Sequence, residues 1–238
     1  MPVVETRRQG AWIALLALCT VFAVLFAGLG AWQVKRLAWK LDLMARVEAG
    51  IHAAPVDAPA PGDVSPEDEY RRVALQGRFI NERETLVQAV TELGGGFWVL
   101  TPFATTRGFT VLVNRGFVPP DNRAPASRAD GQIEGETTLV GLLRLSEPGG
   151  GFLRRNDPAT DRWFSRDVAA IAQARHLDNA ASYFVDADDT PVPGGLPVGG
   201  LTVVRFSNNH LVYALTWFAL ALMCVGAGIR AWRGGRRA

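Results

Sequence analysis

The sequence lacks most of the residue patterns from which common catalytic and metal centres are built. Its 238 residues include two cysteines and three histidines, and no CxxC, CxxCH or HExxH pattern occurs among them. A G-x-S-x-G nucleophile elbow and a diagnostic pair of catalytic carboxylates are also missing. Thiolate metal sites, covalently attached haem and zinc-protease chemistry are therefore not indicated. We expect a protein that is not an enzyme.

The chain also has little excess charge and no thiol outside its apolar segments. The net charge is +2, and the basic residues are dispersed or follow the last apolar segment, so nothing indicates a nucleic-acid partner. Cys19 and Cys224 both lie in apolar segments, which leaves the domain between them without a disulfide. That domain must be held together by its own hydrophobic core, for which it is long enough.

Two segments contain no charged residue and are long enough to cross a bilayer. They run from Ala11 to Trp32 and from Leu211 to Ile229. A helix of about 22 residues, the length of the first segment, spans roughly 33 Å. A cleaved signal peptide is the alternative for the first segment, but its apolar run is longer than an h-region and no clear Ala-x-Ala site follows it. We predict two transmembrane helices.

The arginines after the second segment predict the orientation in the membrane. Arg205 lies close before this segment, whereas four arginines follow it: Arg230, Arg233, Arg236 and Arg237. Positive residues favour the cytoplasmic side, so both termini are predicted to be cytoplasmic and the middle domain extracytoplasmic. The first helix indicates the opposite, because Arg7 and Arg8 precede it and more basic residues follow it. The short N-terminus has no transit sequence, so we expect a multi-pass protein of the bacterial inner membrane with a periplasmic main domain.

Composition divides the chain into six parts. Leu37, Leu41 and Met44 recur at helical spacing beyond the first segment, and Gly50 can end that helix. A proline-rich stretch with an acidic bias follows and is interpreted as a linker. The predicted parts are a cytoplasmic N-terminus at 1–10, a transmembrane helix at 11–32, a helical extension with a Pro-rich linker at 33–69, an extracytoplasmic β-rich domain at 70–207, a second transmembrane helix at 208–229 and a basic cytoplasmic tail at 230–238.

Short runs with β character dominate the middle domain. The predicted strands are 72–79, 85–90, 97–103, 109–114, 137–145, 183–186 and 201–206, and Gly94–Gly96 is predicted as a turn. One helix is predicted with Ser165 as its N-cap and Asp167 in its first turn, ending near Arg175. The predicted fold is therefore a membrane α+β protein, in which two transmembrane helices flank an antiparallel β-rich domain, barrel-like in form, with one or two helices.

His210 differs from the other histidines because it lies one residue before the second apolar segment. At helical spacing, Tyr213 and Trp217 fall on or close to its face, which gives an aromatic stripe below the imidazole. Such a face can receive a flat apolar cofactor, and imidazole is a common axial ligand of haem iron. The alternative is structural, because histidine, tyrosine and tryptophan are also ordinary interface anchors.

Trp32 and Arg36 mark the end of the first segment and share one helix face at a spacing of four residues. Arg36 could pair there with an acidic group such as a propionate. Snorkelling of Arg36 to lipid headgroups is the simpler alternative. On the cofactor hypothesis, the binding residues are His210, Tyr213, Trp217, Trp32 and Arg36, with His210 as the ligand of the haem iron.

Asn114 and Arg115 precede a glycine in the middle domain. The glycine favours a tight turn held by the Asn114 side chain, which would be a structural role. The alternative is functional, with an acidic partner for Arg115.

Three separated motifs occur in an order typical of one known family. The first is Leu29 to Gln33 followed by Arg36 and Lys40, at the exit of the first helix. The second is Asn114 to Pro119, and the third is Asn208 to Phe218, at the entry to the second helix. Together they resemble the surfeit-locus-one family of cytochrome c oxidase assembly proteins. The resemblance covers essentially the chain from Ala27 to Phe218.

The resemblance implies a protein of two membrane helices that helps to deliver haem a to subunit I of the oxidase. It implies haem a as a transiently bound cofactor, subunit I as the partner, and haem a synthase and membrane lipid as further partners. His210 matches the position that is proposed in the family to ligate this haem. The alternative is a membrane scaffold that stabilises nascent subunit I without binding haem.

Overall fold

The computed structural model describes residues 2–151, 153–202 and 208–236. Its contacts divide the chain into two compact units. The helix unit comprises residues 1–46 and 205–238, and the barrel unit comprises residues 47–204. The described residues form three α-helices: α1 (Pro2–His52), α2 (Val168–Ala174) and α3 (His210–Gly235).

Helices α1 and α3 are both long and apolar enough to cross a membrane, judged by length and composition. Helix α3 continues past Ile229, the last residue of the predicted span, and ends at Gly235. The arginine-rich end of the chain therefore starts within the helix. Helix α1 likewise continues as one element to His52, well beyond the apolar stretch that ends at Trp32.

The two long helices pack antiparallel along a line of residues spaced seven apart, which we call the seam. On α3 the seam consists of small residues, Ala214, Ala221, Gly228 and Gly235, and on α1 it consists of Trp12, Cys19, Phe26 and Gln33. A Cβ at Gly235 would lie 2.7 Å from the Trp12 ring, and one at Gly228 would lie 3.6 Å from the Cys19 Cβ. Small residues at a seven-residue period allow two membrane helices to approach closely.

Seven strands form one sheet in the barrel unit. They are β1 (Val56–Asp57), β2 (Arg72–Phe79), β3 (Thr85–Thr91), β4 (Gly94–Thr105), β5 (Thr110–Val118), β6 (Thr137–Leu145) and β7 (Ala180–Ala187). Short 3-10 segments connect them at Pro66–Asp68, Asn81–Arg83, Pro120–Asn122, Pro125–Gly131, Pro158–Thr160 and Pro193–Gly195.

The sheet closes into a five-stranded barrel, which confirms the predicted fold class. The strand order is β1-β2-β6-β7-β5-β4-β3, and an additional pairing of β2 with β4 closes the ring through Gly77 and Thr105. Most neighbours are antiparallel, as predicted, but β1 runs parallel to β2 and β5 runs parallel to β7. Closure leaves only the short β1 and the β3 strand outside the ring, which limits the exposed sheet edge.

Side chains alternate between the two faces of each strand, and this gives the barrel unit an interior core and an outer layer. The interior core draws on all five barrel strands and includes Val73, Phe103, Val111, Leu143 and Tyr183. The outer layer packs α2 and Trp163 against the opposite face of the strands, through residues such as Leu112, Ile171 and Phe184. Because successive strand residues face opposite sides, Val111 and Leu112 belong to different layers.

Two predicted local features of the barrel unit are wrong. The glycines at Gly94–Gly96 are not a turn but the start of β4, where they pair with β3 in a ladder that ends at Thr91 and Gly94. The cap of α2 is Asp167, whose side chain accepts a hydrogen bond of 3.1 Å from the backbone N–H of Ala170. Ser165 is instead engaged elsewhere, because its hydroxyl accepts a hydrogen bond from the Gly150 N–H at 3.0 Å.

The proline-rich segment at 53–69, interpreted as a linker, packs in part on the barrel. It contains β1, and Ala58 is 2% exposed within the interior core. The Tyr183 hydroxyl donates a 2.7 Å hydrogen bond to the Pro59 carbonyl, and burial raises the pKa of Tyr183. The prolines therefore belong to a packed extended segment. The strand predicted at 201–206 lies mostly outside the described residues, and Leu201 and Thr202 are not in a strand.

Candidate functional site

His210 is the first residue of α3, and its side chain contacts α1. The preceding asparagine pair sets up this helix start. The His210 backbone N–H donates to the Asn208 Oδ1 at 3.4 Å, and Asn209 is the N-cap residue. The His210 Nδ1 lies 2.7 Å from the Gln33 Oε1, across 177 residues of sequence. Gln33 is buried and His210 is half-buried.

This contact fixes which nitrogen of His210 can bind a metal. The Gln33 Oε1 is an acceptor, so the His210 Nδ1 carries the proton and donates it to Gln33. In neutral imidazole the other nitrogen, Nε2, then keeps its lone pair. A hydrogen bond from the non-ligating nitrogen is the usual way in which a protein orients a metal-binding histidine. In this tautomer the contact with Gln33 does not use the Nε2 lone pair of His210.

Aromatic rings fill the space between the helices below this pair. The Trp217 ring stacks on the Phe26 ring, with 5.5 Å between the centroids and 26° between the planes. A Cβ at Gly30 would lie 2.7 Å from the Phe218 ring, so glycine is needed at this position for the close approach. These rings therefore leave no space for a planar ligand between the helices at this level.

The structure brings only part of the predicted site together. Trp217 is half-buried at the seam on the same side of α3 as His210, but Tyr213 and Trp32 are 54% and 56% exposed. The Arg36 guanidinium lies 4.1 Å from the centroid of the Trp39 ring, and not over Trp32. Tyr213, Trp32 and Arg36 therefore lie on the outer surface of the helix pair, where lipid or a lipid-soluble ligand can reach them.

Gln33 is the site residue that the sequence reasoning missed. In the sequence it occurs only as the last residue of the motif Leu29 to Gln33. An uncharged amide at the end of an apolar segment is nevertheless informative by itself. A polar side chain in a membrane helix needs a hydrogen-bond partner, and the partner is commonly on a neighbouring helix. This rule makes the Gln33 amide a candidate partner for a polar side chain of the second helix such as His210.

A second polar cluster lies in the barrel unit around Asp186, which is 2% exposed. The Asn114 amide donates to the Asp186 Oδ1 at 2.7 Å, and the Asn114 Oδ1 accepts from the Gly116 N–H at 3.2 Å. The predicted tight turn is wrong, because this segment is a bulge within β5, where the register against β4 shifts between Trp98 and Leu100. Asn114 thus stabilises the bulge and anchors the acidic residue.

Arg115 is buried beside this bulge and forms no ion pair among the described residues. It donates to the Gly131 carbonyl and, at 3.4 Å, to the Asn81 Oδ1, and its guanidinium lies 4.5 Å from the centroid of the Phe79 ring. Burial lowers the pKa of Arg115 to about 10. The contacts give this residue a structural role in holding two loops to the barrel end.

The fold and the site define a membrane protein in which two apolar helices hold an imidazole and the chain between them forms a β-barrel domain. The described residues contain no group of three or more His, Cys, Asp or Glu side chains placed to hold a metal ion. The profile of the SURF1 family matches residues 20–222. The chain therefore belongs to the SURF1 family.

Individual relatives agree with this assignment. The chain is 41% identical to surfeit locus protein 1 of Homo sapiens over 228 residues, which cover 88% of this chain and 73% of the human protein. It is 39% identical to surfeit locus protein 1 of Mus musculus, covering 88% of this chain and 71% of the mouse protein. It is 33% identical to a SURF1-like protein of Drosophila melanogaster, covering 88% of this chain and 73% of that protein.

Proposed function

We propose that this protein takes part in the assembly of cytochrome c oxidase by binding haem a through His210 and aiding its insertion into subunit I. Membership of the SURF1 family supports the role in oxidase assembly. The observation that carries the haem step is the 2.7 Å contact between the His210 Nδ1 and the Gln33 Oε1. It leaves Nε2 as a free ligand atom at the start of an apolar helix, and haem requires one such protein ligand.

The chemistry of haem a explains why such a site would be built on membrane helices. Haem a is apolar and carries a long isoprenoid tail, so it would be insoluble if released into water. A site on the helix pair keeps it in the bilayer, between haem a synthase as the supplier and subunit I as the acceptor. Trp217 can contact the porphyrin edge, and Arg36, one turn beyond Gln33 on α1, can pair with a propionate. The barrel unit, on the periplasmic side of a bacterial inner membrane, would dock the acceptor.

The test of the haem step is the haem content of the full chain, purified from a host that makes haem a. Replacing His210 by alanine or leucine removes the axial ligand, and we expect haem a per protein to fall about tenfold or more. The remaining haem should show a changed ligand field in its reduced spectrum. The matched control is His176→Asn, because His176 is an exposed histidine whose φ of +51 suits asparagine. We expect this variant to keep its haem.

The proposal is wrong in its haem step if both His210 variants retain haem a with an unaltered spectrum. The variants also distinguish the haem carrier from a scaffold that stabilises subunit I without binding haem. A scaffold would still yield haem-loaded oxidase in cells that express His210→Ala, because its contacts with subunit I would not depend on the imidazole.

A separate prediction concerns Gln33. Gln33→Leu removes the acceptor of the His210 Nδ1 hydrogen, so we expect haem affinity to fall about 10–100-fold, the usual effect of losing such a supporting hydrogen bond. Gln33→Glu restores an acceptor and should retain most of the affinity. The control is Gln173→Leu, the same substitution at an exposed residue of α2 in the barrel unit. Equal affinity in Gln33→Leu and wild type would contradict this role.

A further inference from the structure

A cleft of about 330 Å³ lies between α1 and α3, below the aromatic rings of the candidate site. Its lining includes three residues of α1, Cys19, Ala23 and Val24, and three of α3, Cys224, Val225 and Gly228. Both cysteines of the chain therefore face the same cavity. The cleft belongs to the apolar part of each helix, and none of the described residues that line it is charged.

The seam explains why a cavity forms at this level. Above it the Phe26 ring stacks on Trp217, and below it the Trp12 ring covers Gly235. Between these levels the seam pairs Cys19 with Gly228, and neither side chain is large enough to fill the space. Aromatic rings thus fill the space between the helices at two levels, and the smaller residues between those levels leave a gap.

The lining indicates the kind of molecule that can occupy the cleft. The Thr20 hydroxyl, a polar group of the lining, donates to the carbonyl of Leu16 on its own helix at 2.9 Å. The remaining side chains are aliphatic groups, thiols and the Trp232 ring. A polar ligand would lose its hydrogen bonds here, whereas a hydrocarbon chain has no hydrogen bonds to lose and gains packing contacts.

We propose that this cleft receives the isoprenoid tail of the haem that is bound at His210, an inference that rests on the proposed function. The cleft lies on the same helix pair as His210 and within reach of such a chain. Ala23 is ten residues from Gln33 on α1, and Cys224 is fourteen residues from His210 on α3. These separations correspond to roughly 15 Å and 21 Å along the helix axes. A porphyrin outside the seam can extend its tail along the surface of the helix pair over this distance.

This arrangement would give the protein a preference for haems that carry the tail. The probes are haem o and haem b, which share the porphyrin and iron, while haem o carries the isoprenoid substituent in place of a vinyl group. We expect the full chain in lipid nanodiscs to bind haem o about tenfold more tightly than haem b. Ala23→Phe fills the cleft and should abolish this difference, by weakening haem o binding and leaving haem b binding unchanged. The measurement is a titration followed by the haem absorbance.

The matched control is Ala27→Phe, which makes the same substitution one turn further along α1. Ala27 is exposed and does not line the cleft, so this variant should keep the preference. Equal affinity of the wild type for both haems, or an equal loss of both in Ala23→Phe, overturns the tail site and leaves bilayer acyl chains as the occupant. Failure of the proposed function has a different signature, because His210→Ala would then bind both haems as well as the wild type does.

A second measurement tests the cleft without haem. Cys19 and Cys224 line it, so an isoprenoid alcohol in the cleft should shield both thiols from alkylation. We expect farnesol to slow the reaction of wild-type protein with N-ethylmaleimide several-fold, and to have no effect on the reaction rate in Ala23→Phe. Equal rates with and without farnesol in the wild type would rule out the tail site, whatever the haem titrations show.

Discussion

Replacing Asp186 with alanine is expected to destabilise the barrel unit by about 3–5 kcal/mol, because it leaves two half-buried guanidinium groups without their shared, buried carboxylate. Asp186 accepts hydrogen bonds from Asn114 at 2.7 Å and Thr202 at 2.9 Å, and it pairs with Arg144 at 3.0 Å and Arg166 at 3.2 Å. No other described acidic residue of this cluster is as deeply buried. The barrel unit should still fold, since both arginines retain other carboxylate partners.

Glu147 lies 2.6 Å from Arg166 and 3.6 Å from Arg144, and Glu69 also lies 3.6 Å from Arg144. The free energy of unfolding is measured on the full chain by denaturant titration, followed through near-UV circular dichroism of the buried tryptophan Trp163. Asp178→Ala is the control, because Asp178 is exposed and its removal should change stability by about 0.5 kcal/mol or less. A loss below about 1 kcal/mol for Asp186→Ala would show that the network contributes little to stability. Asp186→Asn keeps the shape of the side chain and an acceptor oxygen. We expect its loss of stability to lie between the losses of Asp186→Ala and Asp178→Ala.

The strands of the barrel were largely predictable because each has its own local pattern. The predicted bounds of β2 and β6 agree with the structure, and those of β3 differ by one residue. The errors occur where local preference and pairing disagree. Glycine favours turns, but Gly94–Gly96 lie opposite Ala89–Thr91, and the hydrogen-bonded ladder holds them in β4. The burial of Ala58 similarly depends on a partner strand that the proline-rich segment itself does not specify.

Barrel closure and the charge network could not be read from the sequence. The pairing of β2 with β4 and the parallel pairing of β5 with β7 join strands that are not consecutive, and no local signal specifies such neighbours. The partners of Asp186 come from four separate stretches of the chain, and Asn114 and Thr202 are two of them. The sequence around a single aspartate in a strand does not indicate these partners, because they come together only when the barrel closes.

The sequence of the helix unit contains a repeat that indicates how its two helices pack. A seven-residue repeat of small residues runs through α3 from Ala214 to Gly235, and it predicts the face that packs on another helix. The matching repeat on α1 ends at Gln33 and would have identified its amide as a seam residue. The prediction of Trp32 and Arg36 as one functional face relied on spacing alone. Arg36 instead lies over Trp39, three residues further along the same helix.

Gly116→Ala is expected to destabilise the barrel unit by about 2–5 kcal/mol, from a steric clash of about 1–3 kcal/mol and a backbone strain of similar size. Gly116 has a φ of +127 within the bulge of β5, and a Cβ there would overlap the carbonyl oxygen of Val198. That carbonyl cannot move away freely. It accepts a 2.9 Å hydrogen bond from the Phe117 N–H, and the Val198 N–H donates one of 2.9 Å in return.

The matched control for this prediction is Gly95→Ala. Gly95 also lies in a strand, but its φ is not in the left-handed region and no described atom lies within 4 Å of the position of an added Cβ. We expect a stability change of about 0.5 kcal/mol or less for this variant, in the denaturant titration used for Asp186→Ala. A Gly116→Ala variant as stable as Gly95→Ala would mean that the 198–199 segment can leave the barrel at little cost. In that case the bulge at Asn114 to Phe117 would be a hinge and not a fixed part of the wall, because the Phe117–Val198 hydrogen bonds would not resist its opening.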